Sequence, residues 1–177
     1  MRQLCGCLGG ALLIAAAASA HAGAPPVPTV VHIEIAAEIT VHLELAGIDA
    51  VGFTHKPRTS AERDAASRVV EVLGAATDWL RFNTAAQCRL STSSIGANLY
   101  HADDPDAPKS APRLTRPAFD AHFTFTCDAM SALRTLDIAL IERFPRVGEV
   151  IADVRAPKSH HAEIVTTPTG TVWLTTQ

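Results

Sequence analysis

The segment at residues 31–45 alternates between apolar and polar side chains over fifteen positions, which strongly limits how the chain can fold. Successive side chains of a β-strand point to opposite faces, so the alternation predicts β-structure with one buried and one solvent-exposed face. A single strand of this length is unusual, and we therefore expect a bend or bulge near Ala36 and Ala37. The exposed parity carries His32, Glu34, Glu38, Thr40, His42 and Glu44.

Further patterns predict helices and additional strands. Residues 59–62 form a capping box, and apolar residues then recur at helical spacing as far as about Leu80. Asp128 can cap a second helix, which Pro145 ends. Short strands are expected at residues 50–53, 88–93, 119–127, 147–154, 163–167 and 171–175. The predicted fold is α+β, a single domain with a mainly antiparallel sheet and two helices packed on one face.

The N-terminus has the features of a secretory signal peptide, with Arg2 before an apolar run and small-x-small patterns at residues 18–20 and 20–22. The apolar run is shorter than the ~20 residues that span a bilayer, so we expect no stable membrane span after cleavage. We divide the chain into a signal peptide (1–22), a proline-rich linker (23–30) and one domain (31–177). The protein is therefore expected to be exported.

Charge and motifs narrow the class of protein. The formal net charge is −3, and it becomes −4 when Arg2 leaves with the signal peptide. A mildly acidic protein is poorly suited to bind nucleic acid or an anionic membrane. The sequence contains no Gly-x-Ser-x-Gly, no phosphate-binding glycine loop and no His-Glu-x-x-His. We therefore do not expect an enzyme.

Cys88 and Cys127 are the cysteines that remain after cleavage. An exported chain passes through an oxidising compartment, so a disulfide between them is the natural prediction. Closing a loop of 39 residues would stabilise the fold by about 4 kcal/mol on a chain-entropy estimate. A thiolate metal pair is the alternative, but the two cysteines lack Cys-x-x-Cys spacing and an adjacent histidine.

Two neighbourhoods have metal-binding chemistry, and the first is a predicted loop. It offers one imidazole and three carboxylates within six residues: His101, Asp103, Asp104 and Asp106. Mixed nitrogen and oxygen ligands suit zinc, whereas carboxylates alone suit calcium. The alternative is a solvated acidic turn, because aspartate favours turns on its own account.

The second neighbourhood is the exposed parity of the first strand. His42 and Glu44 lie two residues apart and project side by side, about 6.6 Å apart along a strand, so they could share one ion. His32 would be about 33 Å from His42 in a straight strand and could not join it unless the chain folds back. The alternative is an ordinary polar face, and His122, with Asp120 two residues away, is likewise expected to be a surface residue.

The order of these segments resembles the ZrgA-like family of periplasmic proteins associated with zinc uptake. The resemblance covers about residues 31–174 and includes the two cysteines. It is carried by Gly52-Phe53-Thr54-His55-Lys56-Pro57, the following helix start at residues 58–63, Cys88-Arg89-Leu90, Phe123-Thr124-Phe125-Thr126-Cys127 and Arg143-Phe144-Pro145.

The resemblance implies a periplasmic, disulfide-containing, zinc-binding accessory protein that holds or delivers zinc for transporter components of the inner membrane. It also implies that His55 is a fixed zinc ligand near the loop residues. The chain departs from the family pattern, because it lacks a His-rich insertion, has Thr54 where an acid is expected and has Arg116 where a histidine is expected. These departures predict reduced zinc affinity. The alternative is a metal-independent interaction module of the cell envelope on the same scaffold.

Overall fold

The computed structural model describes residues 28–99 and 118–174. Within those ranges the strands are β1 (Thr29–Ile35), β2 (Ile39–Leu45), β3 (Leu80–Phe82), β4 (Cys88–Ala97), β5 (Phe119–Cys127), β6 (Thr135–Ile138), β7 (Val150–Ala156), β8 (Ser159–Val165) and β9 (Gly170–Trp173). The helices there are α1 (Gly47–Ala50), α2 (Ser60–Gly74), α3 (Ala76–Trp79) and α4 (Leu140–Arg143). The predicted signal peptide, most of the linker and the loop residues His101, Asp103, Asp104 and Asp106 lie outside the described residues.

The alternating segment forms a hairpin of β1 and β2 instead of one bent strand. Ile35 pairs with Ile39, so three residues make the turn. An odd number of turn residues keeps the side-chain parity of both strands in phase, which is why the alternation passes through the turn without a break. Folding back places His32 directly opposite His42. The prediction of β-structure was right, and the prediction of a single bent strand was wrong.

Two sheets form the body of the fold. The larger sheet has six strands in the order β4-β5-β2-β1-β7-β8, and the smaller has the order β3-β6-β9. Every neighbouring pair is antiparallel except β1 and β7, which run parallel. The mainly antiparallel α+β architecture predicted from the sequence is therefore observed. The last strand, β9, pairs with β6 of the smaller sheet rather than with β8.

The first predicted helix is present and begins where the sequence indicates. The Thr59 hydroxyl accepts a hydrogen bond from the amide of Glu62 at 3.2 Å, and the Glu62 carboxylate accepts one from the Thr59 amide at 3.0 Å. The helix ends at Gly74 rather than near Leu80, and the short α3 and β3 follow. Val69 and Leu73 are the helix residues that it buries.

The second predicted helix is not formed. Its region contains β6, in which buried Leu136 and Ile138 alternate with half-buried neighbours, and then the short α4. Leucines three and four residues apart also fit a helix, so the pattern was ambiguous over so short a run. Pairing with β3 and β9 decided the outcome. Asp128 does not cap a helix there, and its carboxylate instead accepts two hydrogen bonds from Arg89 at 2.7 and 2.8 Å.

The strand predicted at residues 50–53 is also absent. The segment is the end of α1 followed by a turn, in which Gly52 has a φ of 86°. This left-handed conformation interrupts an extended chain, and glycine adopts it more easily than residues with a side chain do. The turn leads into the His55 segment before α2.

The buried residues of both sheets and of α2 and α3 form one apolar core. At its centre Trp79 and Phe123 meet edge to face, with ring centroids 5.5 Å apart. The predicted disulfide is present, joining Cys88 of β4 to Cys127 of β5, which lie opposite each other in the sheet. In the described part of the chain, none of the helices is long and apolar enough to cross a membrane.

Candidate metal centre

The outer face of the larger sheet carries a row of histidines. The strand registers place His122 of β5 beside His42 of β2, His42 beside His32 of β1, and His32 beside Asp153 of β7. Neighbouring strands lie about 4.8 Å apart, so four polar side chains occupy one continuous row. The opposite parity of the same strands is buried, for example Val41 and Phe123.

One carboxylate joins two imidazoles at one end of this row. Asp120 accepts a hydrogen bond from His42 Nε2 at 2.9 Å and approaches His122 Nε2 at 2.8 Å through its other oxygen. The two imidazole rings stack almost in parallel, with centroids 4.1 Å apart. One ligand atom from each of the three residues lies within 4.8 Å of the other two.

This cluster has the donor set of a zinc site. Zinc is held by imidazole nitrogens and carboxylate oxygens, and a site with three protein ligands leaves a fourth position open. A carboxylate oxygen only accepts hydrogen bonds, so the His42 nitrogen that contacts Asp120 carries the proton when no metal is bound. A zinc ion bound between these groups needs a lone pair on the ligating nitrogen of each imidazole, so the proton on that nitrogen moves to the other ring nitrogen. A doubly protonated imidazole has no free lone pair, so zinc binding at this site is expected to weaken at acidic pH.

A second carboxylate lies farther along the row. Asp153 accepts hydrogen bonds from His32 Nδ1 at 3.0 Å and from His160 Nε2 at 2.6 Å, and it forms an ion pair with Arg155 Nη2 at 3.0 Å. Burial raises the pKa of Asp153, but the hydrogen bonds from His32 and His160 and the charge of Arg155 outweigh it and hold the pKa below its ordinary value. Asp153 is thus an ionised carboxylate, and its side chain is only 13% exposed.

A shallow groove runs along the histidine row. Its volume is about 490 Å³, and His32, His42, His122, Thr40, Thr124 and Arg155 contribute to its lining. The exposed fraction of the side chain rises from 29% for His42 to 60% for His122. The site is therefore open to solvent and to other molecules, with its most accessible ligand at the β5 side.

The residues predicted from the sequence fall in different places. His42 lies in the cluster, but its acidic partner is Asp120 and not Glu44. Glu44 lies opposite Asp120 in the register of β2 and β5. His55 lies at the entry to α2, where its Nδ1 donates to the Lys56 carbonyl at 2.9 Å and its ring stacks on Phe53 at 5.0 Å. The four loop residues lie outside the described ranges.

Sequence reasoning missed Asp120 and His122 as partners of His42. It treated His122 as a surface residue, although Asp120 and His122 lie two apart on the same face of β5, as His42 and Glu44 do on β2. That repeated spacing was the available signal. It had no value without knowing that β2 and β5 are neighbours. His32 was set aside because of its distance along a straight strand, and the hairpin removes that distance.

The fold is that of a β-rich protein with an exposed cluster of two histidines and one aspartate, whose ligand types match those of zinc sites. The family described as ZrgA family zinc uptake protein matches residues 30–174, and the chain belongs to this family. The family description associates the chain with zinc uptake. No curated protein matches the chain significantly.

Proposed function

We propose that the protein is a periplasmic zinc-binding accessory protein, and that His42, Asp120 and His122 form its zinc site. The convergence of two imidazoles and one carboxylate within 4.8 Å carries the proposal. Membership of a zinc uptake family supports zinc as the ion. The Cys88–Cys127 disulfide fits an oxidising compartment such as the periplasm.

The exposure of the site suits a protein that holds zinc and passes it on. The 60% exposed side chain of His122 can be displaced by a ligand from a partner without unfolding the sheet. The partner we propose is a zinc transporter component of the inner membrane. The solvent exposure of the site also fits the reduced affinity expected from the missing His-rich insertion.

We propose binding rather than catalysis for the same reason. A catalytic zinc works in a shaped cavity that excludes bulk water, whereas this cluster lies on an open sheet face. Asp120 and His122 are 40% and 60% exposed.

Zinc titration of the purified, oxidised protein tests the site. We expect one equivalent to bind, measured calorimetrically and by competition with a chelating dye. His42→Ala and Asp120→Asn should each weaken binding by about 100-fold or more, because each removes one ligand, and even indirect supports of metal ligands contribute about 10–100-fold. His55→Ala is the matched control and should bind zinc as the wild type does.

Two results would count against this proposal. The sheet site is ruled out if the wild-type protein binds no zinc at neutral pH. It is also ruled out if the His42→Ala protein binds zinc as tightly as the wild type. A host strain lacking the gene then tests the metal-independent alternative. If a His42→Ala, His122→Ala protein restores growth under zinc limitation as well as wild type, the interaction module is the better account.

A further inference from the structure

His32 lies one strand beyond the proposed zinc site and shares its groove. It is paired directly opposite His42, and the two rings are 5.8 Å apart with an angle of 27° between their planes. His32, His42 and His122 all line the same groove. The side chain of His32 is 40% exposed, so its ring has room to tilt toward His42.

The contact with Asp153 fixes which nitrogen of His32 can bind a metal. A carboxylate only accepts hydrogen bonds, so Nδ1 of His32 must carry the proton that it donates to Asp153 at 3.0 Å. In the neutral ring, Nε2 then carries the lone pair. A metal-binding histidine typically donates its other ring N–H to a carboxylate in this way, which sets the tautomer and raises the basicity of the ligating nitrogen.

We propose that His32 is a fourth protein ligand of the zinc, through Nε2, and that Asp153 is the positioning residue that orients it. This inference rests on the proposed zinc site and extends it to three imidazoles and one carboxylate, a complete tetrahedral set. His32 then fills the position that a partner's ligand would take. The protein would hold zinc fully coordinated until a transporter component displaces the His32 imidazole.

Arg155 argues against the competing assignment, in which His32, Asp153 and His160 bind a second ion. Its guanidinium lies 3.0 Å from the Asp153 oxygen that also contacts His32. A permanent positive charge at that distance repels a divalent cation, whereas it leaves the hydrogen bond from His32 intact. Among the described residues, ligand atoms converge within 4.8 Å at His42, Asp120 and His122. Neither Asp153 nor His32 belongs to that group, so His32 reaches the ion by tilting its ring toward His42.

The test measures zinc affinity, zinc stoichiometry and the visible spectrum of the cobalt-loaded protein. Cobalt substitutes for zinc, and tetrahedral cobalt absorbs more strongly than five- or six-coordinate cobalt. We expect His32→Ala to weaken zinc binding at least 10-fold and to change the cobalt spectrum, because a water molecule replaces one imidazole nitrogen. Asp153→Asn should weaken binding by about 10–100-fold with the ligand set unchanged. His160→Ala, the control at the other oxygen of Asp153, should bind one equivalent with nearly wild-type affinity.

The outcomes separate this inference from the zinc site on which it rests. If His42→Ala loses zinc but His32→Ala keeps wild-type affinity and cobalt spectrum, the site stands and the role of His32 is wrong. If the wild type binds two equivalents and His160→Ala removes one of them, the second-ion assignment is right instead. Thermal unfolding in chelator checks that each variant is folded, and His32→Gln replaces His32→Ala if the latter is not.

Discussion

His42 and His122 lie directly opposite each other on adjacent antiparallel strands, with their rings stacked 4.1 Å apart and both imidazoles bound to the Asp120 carboxylate. They come from strands that are far apart along the chain, with α1, α2, α3, β3 and β4 between them. The outer face of a sheet is a rigid platform for such a pair, because the buried parity of each strand fixes the backbone beneath it. The preorganised geometry follows from the sheet rather than from a flexible loop.

The first prediction separates the sheet site from the loop. The quadruple variant His101→Ala, Asp103→Ala, Asp104→Ala, Asp106→Ala should retain one zinc equivalent, with affinity within about 10-fold of the wild type, because the sheet ligands are untouched. Zinc titration with a competing dye measures the effect. The control is the His42→Ala protein, which should lose binding. If the quadruple variant bound no zinc, the zinc site would be assigned to the loop residues instead of the sheet.

The second prediction concerns the disulfide. The Cys88→Ser, Cys127→Ser variant should lose about 4 kcal/mol of unfolding free energy, because the bond closes a loop of 39 residues and restricts the unfolded chain. Urea unfolding followed by circular dichroism measures this loss. Wild-type protein treated with reductant should show the same midpoint as the variant. An unchanged midpoint in both would mean that the bond restricts the unfolded chain very little.

The third prediction concerns the core beneath the zinc site. Phe123 is 1% exposed and packs edge to face on Trp79, so Phe123→Ala should cost about 3–5 kcal/mol of unfolding free energy. Ile164→Ala is the matched control on another strand of the same sheet. Ile164 is 64% exposed, and its removal should cost less than about 1 kcal/mol. Equal losses in urea unfolding would contradict the assignment of the buried face.

The fourth prediction concerns pH. Burial raises the pKa of Asp49 above its ordinary value of 3.8. The folded state therefore binds this proton more tightly than the unfolded state does, and the stability contribution of Asp49 falls as the pH rises through the folded pKa. Asp49→Asn should be more stable than the wild type at pH 7, and the difference should vanish below about pH 3, where Asp49 is protonated in both the folded and the unfolded state. Thermal unfolding midpoints of both proteins across pH measure the difference. If the advantage of Asp49→Asn grew as the pH fell, the pKa of Asp49 would be lowered in the folded state and the prediction would be wrong.

Local signals predicted local structure well. The capping box at Thr59 and Glu62 needs only neighbouring residues, and α2 begins there as expected. The alternation in residues 31–45 predicted two-faced β-structure correctly for the same reason. The cysteine pair followed from compartment and count alone.

Signals that depend on distant partners failed. The run from Leu133 to Phe144 fits helical spacing, yet β6 forms because β3 and β9 supply hydrogen-bond partners on both sides. The acidic partner of His42 was placed two residues away at Glu44, whereas the fold supplies Asp120 from β5. The sequence of a strand does not show which other strand will pair with it in the sheet.

The sequence by itself determined which side chains share a face, because the two-residue period of a strand is a local property of the backbone. It thereby placed His32 and His42 on the exposed face of their strands. It placed Asp120 and His122 together on one face of β5. Only the tertiary structure decided that these residues meet, because the three-residue turn and the register of β2 against β5 bring together positions that are far apart along the chain. Burial of the apolar face of the larger sheet determines which strands pair. The candidate zinc site forms on the exposed face because that pairing brings its residues together.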